Sequence, residues 1–214
     1  EYEAYYPPEE NRRFVQNLID QPDQFLSKEY PLLRHMPPTR TGRLPDRPNI
    51  VLILLESFTA RYLATHGGDP EIAPNFNRLI KEGIYFERFI ASGGRSANGL
   101  FCMLAGLPDR AGRTVLRSSQ IQNRYGGLGS LLKQRGYSTH FYHGGDLGID
   151  NLNSVLPHLG FDHNTGLQAL RAAGIYKMET PWGFDDGDTF RKMQSDLQTL
   201  PQPFLAALFT VNTH

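Results

Sequence analysis

Residues 49–57 read NIVLILLES, an apolar run from Ile50 to Leu55 that ends abruptly in the carboxylate of Glu56. A short, continuous apolar run is typical of a strand buried on both faces of a parallel sheet. Ligand sites and catalytic groups collect at the carboxyl ends of such strands. A carboxylate buried there without a partner is costly, so Glu56 would require a cation or a proton. The alternative is an exposed or salt-bridged carboxylate without a catalytic role.

Strand and helix candidates alternate from Asn49 onward, which is the pattern of a parallel sheet with crossover helices. We predict strands at 49–55, 84–90, 137–142 and 204–211. We predict helices at 74–82, 97–105, 127–135, 150–158, 165–173 and 186–199. The predicted fold class is therefore α/β, with a mostly parallel central sheet and helices on both faces. The last strand is almost wholly apolar, so it should be central and deliver His214 to the same edge as Glu56.

Residues 1–48 differ in composition from the rest of the chain. They hold eight of the 15 prolines, and the segment 34–48 is both basic and proline-rich. Such a composition favours an extended arm, with short helices predicted near 9–18 and 24–29. We predict a linker or arm at 1–48 and a folded domain at 49–214.

The overall composition excludes several classes of protein. The 22 basic and 22 acidic residues balance, with a pI near 7.3, so nothing indicates electrostatic binding to nucleic acid. The single cysteine, Cys102, excludes an internal disulfide framework and a cysteine-based zinc site. No apolar run approaches the roughly 20 residues that span a bilayer, and neither a signal peptide nor an initiating Met is visible. We expect the chain to be part of a longer protein.

Ser96 lies in the loop GGRSANG, residues 93–99, which leads into an apolar, helix-like stretch. One interpretation is a helix N-cap, a role that serine performs often. In the other, its hydroxyl lies beside free backbone N–H groups, which suits a nucleophile that attacks phosphorus. The neighbouring Arg95 would then bind phosphate oxygens of the substrate, although an arginine in such a loop is commonly just solvated.

Two histidines stand at strand ends. His143 follows the predicted strand 137–142, and His214 ends the predicted strand 204–211. Either one alone is more often structural, but both converge on the same predicted edge as Glu56 and Ser96. A carboxylate and a hydroxyl suit a divalent cation and a phosphate. We therefore predict a metal-assisted phosphoryl-transfer site at this edge.

Three stretches carry a family resemblance: residues 49–57, residues 73–79 with the sequence APNFNRL, and residues 82–86 with the sequence EGIYF. In this order they resemble the alkaline phosphatase/sulfatase superfamily. Within it, the Glu-Ser strand end and the Gly-Arg-Ser loop look most like the lipoteichoic acid synthase branch of the phosphoglycerol transferases. The resemblance makes 49–214 the N-terminal part of a catalytic domain. It likens residues 1–48 to the linker between that domain and membrane helices.

The resemblance implies a role for most of the candidate residues. Glu56 matches the family's first metal ligand, and Ser96 stands in the place of a threonine nucleophile that also touches the metal. His143 and His214 fall where the family binds the phosphoglycerol group. One divalent metal ion is implied, and Mn²⁺, Mg²⁺ and Zn²⁺ all tolerate such ligands. The family's Asp-His pair of metal ligands would lie beyond His214.

The sequence departs from the family pattern at two places. The Trp and Arg that follow the histidine in lipoteichoic acid synthases are absent, and Asp150-Asn151-Leu152 stands at about that spacing. This departure leaves the head group and the acceptor open. True sulfatases need a Cys or Ser followed by x-Pro-x-Arg, which neither Ser96 nor Cys102 provides. A transferase therefore ranks above a sulfatase.

We expect a metal-dependent phosphoryl or phosphoglycerol transferase that uses a lipid phosphodiester donor and a covalent Ser96 intermediate, with this chain alone inactive or nearly so. The expected partners are a phospholipid head group or a glycan, and no nucleic acid. The expected location is the extracytoplasmic face of the bacterial inner membrane, in the periplasm or cell envelope, with anchoring by N-terminal segments outside this chain. Two alternatives stay open: a sulfatase-like hydrolase (phosphodiesterase or sulfatase), and a non-catalytic sulfatase-like domain that binds an anionic glycan or a partner.

Overall fold

The computed structural model describes residues 7–17, 25–27, 35, 46–109, 112–123, 125–174 and 179–211. The chain divides into two compact units, residues 1–45 and 46–214. In the first unit, helix α1 spans Pro8–Asn17, close to the helix predicted at 9–18. Its first turn holds a proline, whose backbone suits the start of a helix, and two acidic residues, whose charge suits the positive end of the helix dipole. Residues 25–27, the described part of the second predicted helix, are not helical.

The second unit is built on a four-stranded parallel sheet with the order β1-β6-β2-β3. The strands of this unit are β1 (Ile50–Leu54), β2 (Ser138–His143), β3 (His163–Thr165), β4 (Glu179–Thr180), β5 (Gly183–Phe184) and β6 (Phe204–Phe209). Strands β4 and β5 form a separate antiparallel pair. The register places Phe209 beside both Leu54 and His143. The carboxyl ends of β1, β6 and β2 therefore lie at one edge of the sheet.

Helices connect the strands of this unit. They are α2 (Pro74–Glu82), α3 (Ser96–Ala105), α4 (Leu128–Lys133), α5 (Leu152–His158), α6 (Leu167–Ala173) and α7 (Asp186–Leu197), with 3₁₀ turns at Ala60–Tyr62, Ala64–His66, Val115–Arg117, Ser119–Gln122 and Ile149–Asn151. Alternate residues of β2 and β6 enter two separate cores, one packed by α3 and α5 and the other by α7. The predicted α/β fold class is confirmed. No helix in the described ranges is both long and apolar enough to cross a membrane.

The strand predicted at 84–90 is wrong. These residues form an irregular loop with a turn at 87–88, and Ile84 and Ile90 are 88% and 85% exposed. Apolar and β-branched residues suit a strand, but a strand is stable only when a neighbour completes its backbone hydrogen bonds. None of the described strands pairs with this segment. The polar β3, which the sequence did not predict, is a strand because β2 offers it a pairing edge.

Candidate active site

Glu56 lies two residues beyond the end of β1. Its backbone N–H donates to the hydroxyl of Thr210 at 2.7 Å, and the N–H of Thr210 donates to the carbonyl of Leu54 at 3.0 Å. Thr210 directly follows β6 and is buried. These bonds join the chain after β1 to the chain after β6, so two strands fix the backbone that carries the carboxylate. Sequence reasoning missed Thr210, because a threonine after an apolar strand carries no motif.

Ser96 is the first residue of α3, and Arg95 occupies the N-cap position. The hydroxyl of Ser96 donates to Oε1 of Glu56 at 2.7 Å. The hydroxyl of Ser57 donates to the same oxygen at 3.0 Å. The interpretation of Ser96 as an N-cap is therefore wrong, and its predicted proximity to Glu56 is observed. The catalytic and metal-binding roles of the two residues remain predictions.

The first turn of α3 also presents backbone donors. Neither the N–H of Ser96 nor that of Ala97 has an acceptor among the described residues. Unpaired N–H groups and the positive end of the helix dipole make such a terminus favourable for an anion. Because the Ser96 side chain is exposed, a phosphate group could reach both the hydroxyl and this terminus.

Gly93 lets the loop before Ser96 pack closely on α3. A Cβ on Gly93 would lie 2.4 Å from Cβ of Asn98, whereas a Cβ on Gly94 would meet nothing within 4 Å. Asn98 cannot easily yield, because it is buried and its side-chain N–H donates to Asp109 at 3.0 Å. The close approach therefore requires glycine at position 93 but not at position 94.

We expect Gly93→Ala to destabilise the fold by about 1–3 kcal/mol, the usual cost of forcing an extra carbon into a packed site. Gly94→Ala serves as the control, and we expect it to stay within about 0.5 kcal/mol of wild type. Urea denaturation of both variants measures the difference. Equal unfolding midpoints for the two variants would contradict the close packing of Gly93 on Asn98.

His143 ends β2 and is buried against Phe209. Its Nδ1 lies 2.9 Å from the carbonyl oxygen of Phe209, and the two rings stack with centroids 5.0 Å apart. Burial lowers the pKa of His143, while the hydrogen bond to Phe209 and the charges of Asp186 and Glu56 act in the opposite direction. His143 lies at the predicted sheet edge, yet it does not line the groove that contains Glu56. His214 lies outside the described residues.

We expect folding stability to fall as the pH drops below about 6.5, the ordinary pKa of histidine. Burial lowers the folded-state pKa of His143 and of His140. The unfolded chain therefore binds protons first as the pH falls. The stability that the two neutral histidines contribute is fully present above about pH 6.5 and is lost as the pH falls toward their folded-state pKa values. Chemical denaturation at several pH values measures the slope. His143→Gln should reduce the slope. An unchanged slope in His143→Gln would contradict this account.

A buried carboxylate fixes the chain just beyond β6. Oδ1 of Asp186 accepts from the N–H of Val211 at 2.7 Å. The helix N-cap is the preceding residue, Asp185, whose side chain accepts from the N–H of Gly187 at 2.8 Å. Asp186 therefore does not cap α7 but braces the edge of the sheet on which Glu56 and His143 lie.

An open groove with a volume of about 1380 Å³ runs past Glu56 and Ser96. Its apolar lining includes Phe58, Phe76, Phe89, Ile90 and Met103. Its charged lining residues are Glu56, Arg95, Arg113, Arg117 and Asp150. The Arg95 guanidinium is exposed and has no side-chain partner within the described ranges. The groove therefore combines apolar lining residues with an excess of positively charged ones.

Asp109 attaches the segment that carries Arg113 to α3. Its carboxylate accepts from the side-chain N–H of Asn98 at 3.0 Å, from the hydroxyl of Thr114 at 2.5 Å and from the N–H of Val115 at 3.1 Å. Asn98 belongs to the same helix as Ser96. The segment that carries Arg113 is thus held against the helix that carries the candidate nucleophile. Sequence reasoning missed this network, because no spacing pattern links its members.

Glu56 and Ser96 fit two ligand positions of a divalent metal ion. Both offer hard oxygen atoms, 2.7 Å apart, of the kind that such cations prefer. The described part of the chain contains no group of three or more His, Cys, Asp or Glu side chains able to hold a metal. The pair therefore fits part of a coordination shell.

Comparison with known proteins identifies the family. The family model described as Sulfatase matches residues 48–214. An N-acetylglucosamine-6-O-sulfatase from Bacteroides thetaiotaomicron is 26% identical over 66% of the chain and 24% of its own length. Lipoteichoic acid synthase 1 from Bacillus subtilis is 26% identical over 78% of the chain and 26% of its own length. Phosphoglycerol transferase I from Escherichia coli O127:H6 is 28% identical over 83% of the chain and 24% of its own length.

A solved structure agrees with these matches. A protein in the alkaline phosphatase superfamily from Vibrio parahaemolyticus superposes with a TM-score of 0.86 at 27% identity, over 98% of this chain and 50% of that one. The chain spans about a quarter of the length of the curated relatives named above. The family match covers most of the chain and includes the whole groove around Glu56 and Ser96. The chain therefore belongs to the sulfatase family, within the alkaline phosphatase superfamily.

Proposed function

We propose that this chain supplies the nucleophile and part of the metal site of a phosphoryl transferase of the phosphoglycerol type. The observation that carries the proposal is the 2.7 Å hydrogen bond from Ser96 to Glu56 at the start of α3. This arrangement combines an exposed hydroxyl, a carboxylate and an anion-favouring helix terminus in one groove. Serine, carboxylate and preorganised N–H groups are the parts that covalent phosphoryl transfer requires.

In the first step, Oγ of Ser96 attacks the phosphorus atom of a phosphodiester. The bond between Oγ and phosphorus forms, and the bond from phosphorus to the leaving alcohol breaks. Oε1 of Glu56, which accepts the hydrogen bond of Ser96 in the structure, takes the hydroxyl proton. That proton passes through solvent to the departing alkoxide, which leaves as the neutral alcohol. The N–H groups of Ser96 and Ala97 and the guanidinium of Arg95 bind the phosphoryl oxygens.

In the second step, an acceptor hydroxyl attacks the same phosphorus atom. The bond between phosphorus and Oγ of Ser96 breaks. Glu56 takes the proton of the acceptor hydroxyl and returns it to Oγ, which restores the free serine. A divalent metal ion bound by Glu56 and Ser96 would supply positive charge that lowers the pKa of the serine hydroxyl and offsets charge on the phosphoryl group. His143 is proposed to contact the phosphoglycerol group, on the basis of the family resemblance, and so is His214.

The apolar residues of the groove support a lipid donor. Phe58, Phe89 and Met103 line the same groove as Ser96, so an acyl chain could lie beside the reacting phosphodiester. The names of two relatives, lipoteichoic acid synthase 1 and phosphoglycerol transferase I, fit the same choice. We propose that the reaction takes place at the extracytoplasmic face of a bacterial membrane, with anchoring by segments outside this chain.

Trapping of the covalent intermediate tests the proposal. The protein that contains this chain is incubated with divalent metal and phosphatidylglycerol, without an acceptor, and Ser96 is examined by peptide mass spectrometry. We expect a phosphoglycerol adduct on Ser96 and none in Ser96→Ala. An adduct on another residue, or turnover without any adduct, would contradict the mechanism.

A hydrolase is the second candidate, because one relative is an N-acetylglucosamine-6-O-sulfatase. Water would then replace the acceptor hydroxyl in the second step. Release of free glycerol phosphate in the presence of abundant acceptor would favour a phosphodiesterase. Turnover of a sulfate ester without turnover of phosphatidylglycerol would favour a sulfatase.

A further inference from the structure

The groove contains two arginines that the proposed mechanism does not use. Arg113 and Arg117 line the same groove as Glu56 and Ser96. Both side chains are exposed, so a ligand in the groove could reach them. Neither residue belongs to the motifs that indicated phosphoryl transfer.

The structure holds these arginines in place. Nε of Arg117 forms an ion pair with Asp150, and Nε of Arg113 donates to the carbonyl of Arg117 at 2.5 Å. The side chain of Asn151 donates to the carbonyl of Leu116 at 2.7 Å. The turn 115–117 is thus attached to the turn 149–151 by both backbone and side chains. Arginines held in this way lose less freedom when they bind a ligand.

Arg117 still has hydrogen-bonding capacity. A guanidinium carries five N–H donors, and Asp150 engages Arg117 through Nε. The terminal nitrogens of Arg117 have no acceptor within the described ranges, and its side chain is 51% exposed. Two parallel N–H donors on a guanidinium match two oxygens of a phosphate group.

The charge of the groove favours an anion. Among the described residues, its lining holds three cations (Arg95, Arg113 and Arg117) and two anions (Glu56 and Asp150). Glu56 already accepts hydrogen bonds from two hydroxyl groups. Asp150 therefore carries the negative charge that competes most directly with a ligand for Arg117. Two adjacent arginines suit a tetrahedral oxyanion better than a carboxylate, since the tetrahedral group offers more oxygen acceptors.

We propose that Arg113 and Arg117 form a second anion subsite in this groove, which binds a phosphate ester of the substrate other than the phosphoryl group transferred to Ser96. Asp150 positions Arg117 and competes with the ligand. The subsite deepens the proposed function, because it assigns a second phosphate to the substrate. Binding at the subsite does not itself depend on Ser96 being the nucleophile.

The test is a titration of the 214-residue chain with glycerol phosphate, followed by NMR and calorimetry. The chain carries Ser96→Ala and Arg95→Ala, which remove the side-chain contacts proposed for the transferred phosphoryl group and leave only the N–H groups of residues 96 and 97. We expect shifts in the amide signals of 112–118 and a dissociation constant that rises about tenfold or more in Arg117→Ala. Neutral glycerol should cause no such shifts.

Arg171→Ala is the matched control. Arg171 is also 51% exposed and also pairs with a carboxylate, that of Glu179, but it does not line the groove. Its replacement should change the dissociation constant by less than about twofold. Asp150→Asn keeps a hydrogen-bond acceptor for Arg117 and removes the competing charge, so it should tighten binding several-fold. Equal affinity in Arg117→Ala and Arg171→Ala would overturn the subsite.

The outcomes separate the subsite from the proposed function. Binding that depends on Arg117, together with activity of the complete protein that survives Ser96→Ala, would retain the subsite and refute the serine mechanism. Loss of activity in Ser96→Ala, with glycerol phosphate binding independent of Arg117, would retain the serine mechanism and refute the subsite. Tighter binding of N-acetylglucosamine 6-sulfate than of glycerol phosphate, still dependent on Arg117, would overturn the choice of a phosphate ester and assign the subsite to a sulfate ester.

Discussion

Ser96→Ala in the complete protein is expected to lower transfer activity by about 10³-fold or more, as loss of a covalent nucleophile does in other enzymes. The variant keeps the backbone of α3 and removes only the hydroxyl that donates to Glu56 at 2.7 Å. Because that bond is exposed rather than buried, the free energy of unfolding should change by no more than about 1 kcal/mol. Release of radiolabelled phosphoglycerol from lipid, beside a thermal melt, measures both effects.

Ser57→Ala provides the control for this result. Ser57 also donates to Oε1 of Glu56, at 3.0 Å, and is also exposed. Its replacement removes a similar hydrogen bond without removing the proposed nucleophile, so we expect less than about a tenfold loss of activity. Comparable losses in Ser57→Ala and Ser96→Ala would mean that both serines only support the carboxylate. The covalent mechanism would then be wrong.

Glu56→Gln is expected to have the second largest effect, a loss of roughly 10²–10³-fold in turnover, typical of removing an electrostatic group from an active site. Glutamine keeps an oxygen acceptor for Ser96 and an intact anchor to Thr210, which involves only the backbone N–H of residue 56. The change therefore removes charge and leaves the geometry in place. Weaker binding of Mn²⁺, measured by calorimetry on the complete protein, should accompany the loss.

The control for Glu56→Gln is Glu82→Gln, which removes an exposed carboxylate that pairs with Arg78 on α2. We expect this variant to match wild type in both turnover and metal affinity, since exposed ion pairs contribute little. If Glu56→Gln bound Mn²⁺ as tightly as Glu82→Gln does, Glu56 would not be a metal ligand. Full activity in Glu56→Gln would equally refute its proposed role.

The proximity of Glu56 and Ser96 was predictable because the relevant signals are local. An apolar run followed by Glu56 indicates a strand end, and a glycine-rich loop before an apolar helix indicates an exposed Ser96. Parallel strands bring such ends to one edge of a sheet, which is why proximity followed from the pattern. The structure places the two side chains in hydrogen-bonding contact.

The wrong strand predictions share one physical cause. Whether a segment forms a strand depends on partners that are distant in sequence. Residues 84–90 have the composition of a strand but no strand to pair with among those described, whereas the polar β3 pairs with β2. A strand is stabilised mainly by its neighbours. Prediction from a single segment therefore selected the wrong candidate in both cases.

The proposed second anion subsite shows the same limit on prediction from sequence. Arg117 and Asp150 are 33 residues apart, and Thr210 meets Glu56 across 154 residues. Neither pair has a recognisable spacing, because loops of variable length separate their members. Only the folded chain shows that these side chains line or support one groove.

By itself, the sequence determined the α/β class, and it predicted the sheet edge and the two residues, Glu56 and Ser96, of the candidate site. These features arise from periodicity and from local backbone preferences. The tertiary structure alone decided that Thr210 anchors Glu56, that Ser96 does not cap its helix, and that Arg113 and Arg117 share the groove. The reason is that hydrogen bonds and charges act over a few ångströms in space, whatever their separation along the chain.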